Sequence, residues 1–276
     1  MAGMTDDLRV SFAGGPTALL ELAGKRLLTD PTFSPAGVHE SAPGRPLTKT
    51  EEPGLSREDI GEVDAVLLSH DQHADNLDPA GRALVGEVLL TLTTRSGASR
   101  LGGTAQGLPP WAMVALGSLE VIAVPAQHGP PGCESVTGEV TGFVLRGRDL
   151  PTVYVSGDNA SLDFVRAIAR RIGPVDVALL FAGAARTSLF DGAPLTLTSE
   201  AAAEATRILG ARHVIPLHTR GWAHFSEGPD SVRKAFANAG LSERLHMLEP
   251  GESLVLTGPW KTQKTQKTQR MPRTVR

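Results

Sequence analysis

The sequence predicts an α/β fold with its helices on the outside, on three observations. Short apolar runs suit buried strands, helices with readable caps lie between some of them, and His or Asp residues repeatedly follow the strands' carboxyl ends. With 276 residues and 41% hydrophobic side chains the chain has enough to bury a sizeable core. We read one domain over residues 1–260 and a basic tail over 261–276.

Leu8 to Ala13, Ala18 to Ala23 and, after a Gly24-Lys25 turn, Arg26 to Thr29 read as an antiparallel meander. Prolines and glycines recur from Pro31 to Leu55 without periodicity, which reads as a loop forming a wall or lid. Val63 to Ser69 is continuously apolar and too short for a free-standing helix, hence a strand buried on both faces. Asp78-Pro79 then starts a helix, because proline suits the first helical position and aspartate accepts from the free N–H groups.

The same grammar recurs downstream. Leu119 to Val124 precedes His128, Thr152 to Ser156 precedes Asp158, and His213 to Pro216 precedes His218, with a further buried strand at Val175 to Phe181. Leu162, Val165, Ile168 and Ile172 share one helical face between a Ser161 cap and Gly173. Thr198 to Leu209 before Gly210, and Asp230 to Ala239 before Gly240, read the same way.

Composition excludes more than it names. A formal charge of −3 supports neither a nucleic-acid footprint nor a membrane-surface patch. No window approaches eighteen uninterrupted apolar residues, so no membrane span is expected. Cys133 is the only cysteine, so an internal disulfide is ruled out. MAGMTDDLRV lacks the basic and apolar regions of a signal peptide, and the expected setting is the cytoplasm. The closing KTQKTQKTQRMPRTVR carries six Lys or Arg and no acid; with almost nothing apolar to bury, it is expected to be disordered. Oligomeric state is not readable.

The chemistry lies in Asp30, His70 to Asp75, His128, Asp158 and His218, each just past an apolar strand. Neighbouring strand ends share one rim of a sheet, where open α/β sheets bind ligands. Imidazoles and carboxylates converging there are costly to bury unpaired and suit a divalent cation. Gly14-Gly15-Pro16-Thr17 is no phosphate loop, since neither Lys-Ser/Thr nor a helix start follows. Cys133 reads as an inert small residue, and His39, His213 and His246 as structural or exposed.

On LLTDPTF at 27–33, LLSHDQHADNLD at 67–78, VPAQHGP at 124–130, VYVSGD at 153–158 and VIPLH at 214–218, the chain resembles the metallo-β-lactamase superfamily over roughly residues 8 to 255. Within it the chain is most similar to the branch that includes L-ascorbate-6-phosphate lactonase. The resemblance implies a four-layer αββα sandwich with a one- or two-metal site on one edge.

The family's H-x-H-x-D-H signature is altered here, and two registers compete. Starting at His70 keeps only the first ligand. Starting at Asp71 keeps His73 and Asp75, puts Asn76 on the final His, and aligns the Leu77-Asp78 that often follows, so it is preferred. The resemblance then implies one metal on His73, His128 and Asp158 with Asp71, and a weakened second on Asp75, Asp158 and His218 with the Asn76 amide. Asp30 and His70 are expected to support these ligands from behind. Zinc is the expected metal, with iron or manganese suited by the added oxygen donors.

The implied activity is metal-dependent hydrolysis, in which a metal-bound hydroxide attacks an ester-like bond, lactone or phosphate-bearing, in a small molecule. Asp75 orients the water and shuttles its proton, and His224 reaches the same cleft. A phosphodiesterase is the alternative, as is a metal-binding protein of the same fold without hydrolytic activity. Substrate specificity is expected to lie in loops 31–55 and 98–112.

Overall fold

The computed structural model describes residues 7–42 and 45–260; the expected tail at 261–276 lies outside them. Strands β1 (Leu8–Gly14), β2 (Thr17–Leu22) and β3 (Lys25–Thr29) form the meander, each antiparallel to the next. Residues 31–55 are more ordered than their prolines suggest, because they contain a hairpin, β4 (Gly37–Ala42) and β5 (Arg45–Lys49).

The first sheet continues through β6 (Ala65–Leu67), β7 (Thr91–Thr93) and β8 (Ala105–Gly107), running parallel from β3 onward. The second comprises β9 (Met113–Leu116), β10 (Leu119–Pro125), β11 (Thr141–Arg146), β12 (Val153–Val155), β13 (Val177–Phe181) and β14 (His213–Leu217). A last strand, β15 (Ser253–Leu256), returns to pair with β1.

Alternating side chains explain the layering. Leu8, Val10, Phe12, Leu20 and Leu27 meet Val121, Phe143, Val153, Leu179 and Ile215 in a core between the sheets. On the outer face of the first sheet, Leu28, Val66 and Leu68 pack on Ile60 of α1 (Arg57–Ile60) and on Leu84 and Val85 of α2 (Pro79–Val85). Nearby, α3 (Arg95–Leu101) packs beside β8, and the short α4 (Glu134–Thr137) follows β10. On the outer face of the second sheet, Tyr154, Ala178 and Val214 pack on α5 (Leu162–Ile172), α6 (Ser199–Leu209) and α7 (Pro229–Asn238). The order is helix, sheet, sheet, helix.

The helix starts follow the local chemistry. Asp78 accepts from Gly81 N at 2.8 Å, Ser161 caps α5 and Thr198 caps α6. Asp78 also collects Phe33 N, Ser34 N and the buried Lys49 ammonium, at 3.1, 2.7 and 3.2 Å. One side chain thereby fixes the helix start, the turn after β3 and the base of the hairpin. Burial pushes the Lys49 pKa down, against the pull of Asp78.

Candidate metal centre

Because β6 lies in a parallel pair, its carboxyl end opens on the same rim as that of β3. In the second sheet β10 and β12 are both antiparallel to β11, and β12, β13 and β14 are parallel, so β10, β12 and β14 end together. His70–Asp75, His128, Asp158 and His218 follow those four ends.

Two groups form there, each with ligand atoms within 4.8 Å of one another: His70, His73 and His128, and Asp75, Asp158 and His218. His73 Nδ1 faces His70 Nε2 at 2.7 Å and His128 Nε2 at 3.1 Å. His128 Nδ1 donates to Leu195 O at 2.9 Å, which fixes the tautomer and turns the Nε2 lone pair inward. Burial, followed by the neighbouring imidazoles, holds His70 well below the usual histidine range and His73 at about 4. Both rings are therefore neutral at pH 7 and keep lone pairs to offer.

In the second group His218 Nε2 stands 3.1 Å from Asp75 Oδ2 and 3.7 Å from Asp158 Oδ1. Burial disfavours both charges. Even so, Asp158 and Asp75 hold the His218 pKa above its ordinary value, and His224 and His218 hold Asp75 well below the carboxylate range. His224 Nε2 lies 3.0 Å from the same Asp75 oxygen. His218 takes a left-handed backbone, φ 57°, while its N–H donates to Gly15 O at 2.7 Å. A Cβ on Gly183 would sit 2.0 Å from His218 O, so glycine is required where the chain just past β13 meets this turn.

Asp71 stands in neither group. Arg100 Nε reaches its two carboxylate oxygens at 3.2 and 2.9 Å, and Arg82 donates to its carbonyl at 2.8 Å. His70, expected behind the site, is inside it. Two residues separate His70 from His73 where the family spacing has one, so a fixed-gap reading had to sacrifice a histidine; burial of His70 directly after VLLS was the available signal. Asn76 approaches the second group as a donor, its Nδ2 3.0 Å from Asp158 Oδ1. Asp30 accepts from Ser69 N at 2.7 Å, supporting the strand end that carries His70, and burial pushes its pKa well up.

The residues suit a cation. Asp158 Oδ2 is buried with no hydrogen-bond partner among the described residues, yet lies 3.4 Å from His128 Nε2, between the two groups. A buried carboxylate oxygen left without a partner there is costly unless a cation faces it. Imidazole nitrogen and carboxylate oxygen are the donors of zinc, iron and manganese sites alike.

A cavity of about 80 Å³ opens onto His73, Asp75, His128 and His224. Its other walls include Ser41 and Leu47 of the hairpin, Val136 and Thr137 of α4, and the segment Ala185 to Leu195. Loop 98–112, where specificity was expected, contributes no lining residue. Loop 31–55 contributes Ser41, Arg45 and Leu47, and the rest of the wall comes from segments 136–137 and 185–195, whose sequences carry no period or motif to flag them.

Compared with known families, residues 25–219 match the model of the β-lactamase superfamily domain. The chain belongs to the metallo-β-lactamase superfamily. Among curated relatives, a UPF0173 metal-dependent hydrolase of Pyrococcus furiosus is 26% identical over 90% of this chain and 100% of its own length. Another, of Pelotomaculum thermopropionicum, is 28% identical over 90% and 100%. Solved structures share the fold: isothiocyanate hydrolase from Delia radicum gut bacteria superposes with a TM-score of 0.79 at 20% identity, covering 91% of this chain and 100% of that one. Igni18, a metallo hydrolase from Ignicoccus hospitalis, gives 0.68 at 21%, covering 91% and 99%. The chain is thus a metal-dependent hydrolase of this superfamily. No helix among the described residues is long and apolar enough to cross a membrane.

Proposed function

We propose that this hydrolase cleaves an ester-like bond in a small cytoplasmic molecule, a lactone being the favoured form. His70, His73 and His128 hold one divalent cation, zinc first. Asp75, Asp158 and His218 form a second, poorer position, where Asn76 contributes no imidazole. The single observation that carries this reading is Asp158 Oδ2, a buried carboxylate oxygen without a hydrogen-bond partner among the described residues, standing between the two groups.

A bound cation of this kind lowers the pKa of water to about 7 and stabilises negative charge on a carbonyl oxygen. The protein's own contribution is placement. Leu195 O orients His128, Asn76 steadies Asp158, and His218 and His224 fix the Asp75 carboxylate, which accepts and passes on the attacking water's proton. His224 also lines the cavity and contacts the substrate.

A second reading has one specific support, the similarity to isothiocyanate hydrolase with a TM-score of 0.79. Its substrate also presents an electrophilic carbon to water. Protein loaded with zinc, iron or manganese and tested on lactones, esters, phosphodiesters and an isothiocyanate separates these outcomes. Lactone or ester turnover abolished by chelation and restored by metal supports the proposal. Turnover of phosphodiesters alone, or tight metal without turnover of anything, overturns it.

A further inference from the structure

We infer that the cavity selects uncharged substrates whose apolar substituent, of about five to eight non-hydrogen atoms, lies on Leu47, Val136, Leu189 and Leu195. This deepens the hydrolytic reading, on which it rests for the reacting centre. The size follows from about 80 Å³ of cavity, since one water-sized atom group needs roughly 10–15 Å³ by the same measure.

The polarity follows from what faces that space. Beyond the imidazoles, Asp75 and Arg45, the walls are leucines, Val136 and Ala185, with the hydroxyls of Ser41, Thr137 and Thr187 among them. Val136, 48% exposed, adds its apolar side chain to that lining at the mouth of the cavity. Arg45 is the only guanidinium or ammonium among the described lining residues, and it stands exposed to solvent. A phosphate or carboxylate lying on that apolar wall, away from the metal centre, therefore sheds its hydration without gaining a buried partner, which is unfavourable. The one buried ammonium nearby, Lys49, is already committed to Thr32 O, Ser34 O and Asp78.

The test separates binding from turnover. Primary n-alkyl amides of increasing length are titrated by calorimetry into metal-loaded enzyme, beside amides of equal length that carry a carboxylate at the far end of the chain. Affinity should tighten about four-fold per added methylene, then level off when the cavity is full. The carboxylate-ended chains should bind at least about ten-fold more weakly, given the cost of an unpaired buried charge. Val136→Asp, at an exposed position, should flatten the series while leaving the melting temperature unchanged. A flat series in the wild-type enzyme overturns the inference, and so does tighter binding of carboxylate-ended chains that Arg45→Ala abolishes. If the amide series behaves as expected but no ester or lactone is cleaved, the hydrolytic reading fails while the selective cavity stands.

Discussion

Arg100 holds the Asp71 carboxylate through Nε at 2.9 and 3.2 Å, and this ion pair decides which of two adjacent residues faces the metal centre. With Asp71 drawn outward, His70 turns inward to within 2.7 Å of His73. His70→Ala should therefore weaken metal binding about 100-fold or more, beyond what losing a supporting hydrogen bond costs. Asp71→Ala should leave metal content nearly unchanged and cost about 1 kcal/mol of stability, since Arg100 is 43% exposed and finds water. Metal analysis of both purified variants checks this; greater metal loss from Asp71→Ala would reverse the assignment.

Asn76 donates to Asp158 at 3.0 Å, so removing its amide frees a carboxylate that the centre needs in one place. Asn76→Ala should lower metal affinity about 10–100-fold. Asn76→His should instead complete a second position with Asp75, Asp158 and His218, raising bound zinc from about one towards two equivalents. Wild-type protein already holding two tightly bound metals would refute the weak second position.

Stability of the metal-free protein should fall as pH drops from 6.5 towards 4. His70 and His73 are held neutral in the fold but take up protons once unfolded, so the unfolded state gains between those limits. Asp30, whose pKa burial raises, works the opposite way. Above pH 6.5 His218, with its raised pKa, lowers stability again as it loses its proton. Urea denaturation with chelator at pH 4.5, 5.5 and 6.5 reads the sign, and higher stability at pH 4.5 would contradict it.

Trp260 is buried in the core between the sheets, 5% exposed. A chain ending after Trp260 should keep its melting temperature and metal content, because residues 261–276 offer almost no apolar side chain to dock. A chain ending after Pro259 should lose about 3–5 kcal/mol, and its melting temperature should fall by several degrees or more. Equal melting temperatures for the two truncations would show that Trp260 adds nothing.

What the sequence determined by itself was local. Runs such as VDAVLLS and TVYVS could be strands because every second residue need not be polar when both faces are covered, and Asp78, Ser161 and Thr198 announced helix starts through the hydrogen bonds their side chains offer. From strand ends alone followed the rim on which His73, Asp75, His128, Asp158 and His218 meet. Only the tertiary structure decided the roles that depend on distant partners. Asp71 turns outward because Arg100, 29 residues away, reaches it. Asn76 acts as a donor because Asp158, 82 residues away, presents an oxygen, and His128 is oriented by a carbonyl 67 residues on. The hairpin at 37–49 escaped notice because its stability comes from Lys49 and Asp78 and from backbone bonds to Gly221 and Ala223, not from any apolar alternation of its own. Pairing energies between residues far apart in the chain leave no period to read, and in this protein they set both the metal centre's ligands and its walls.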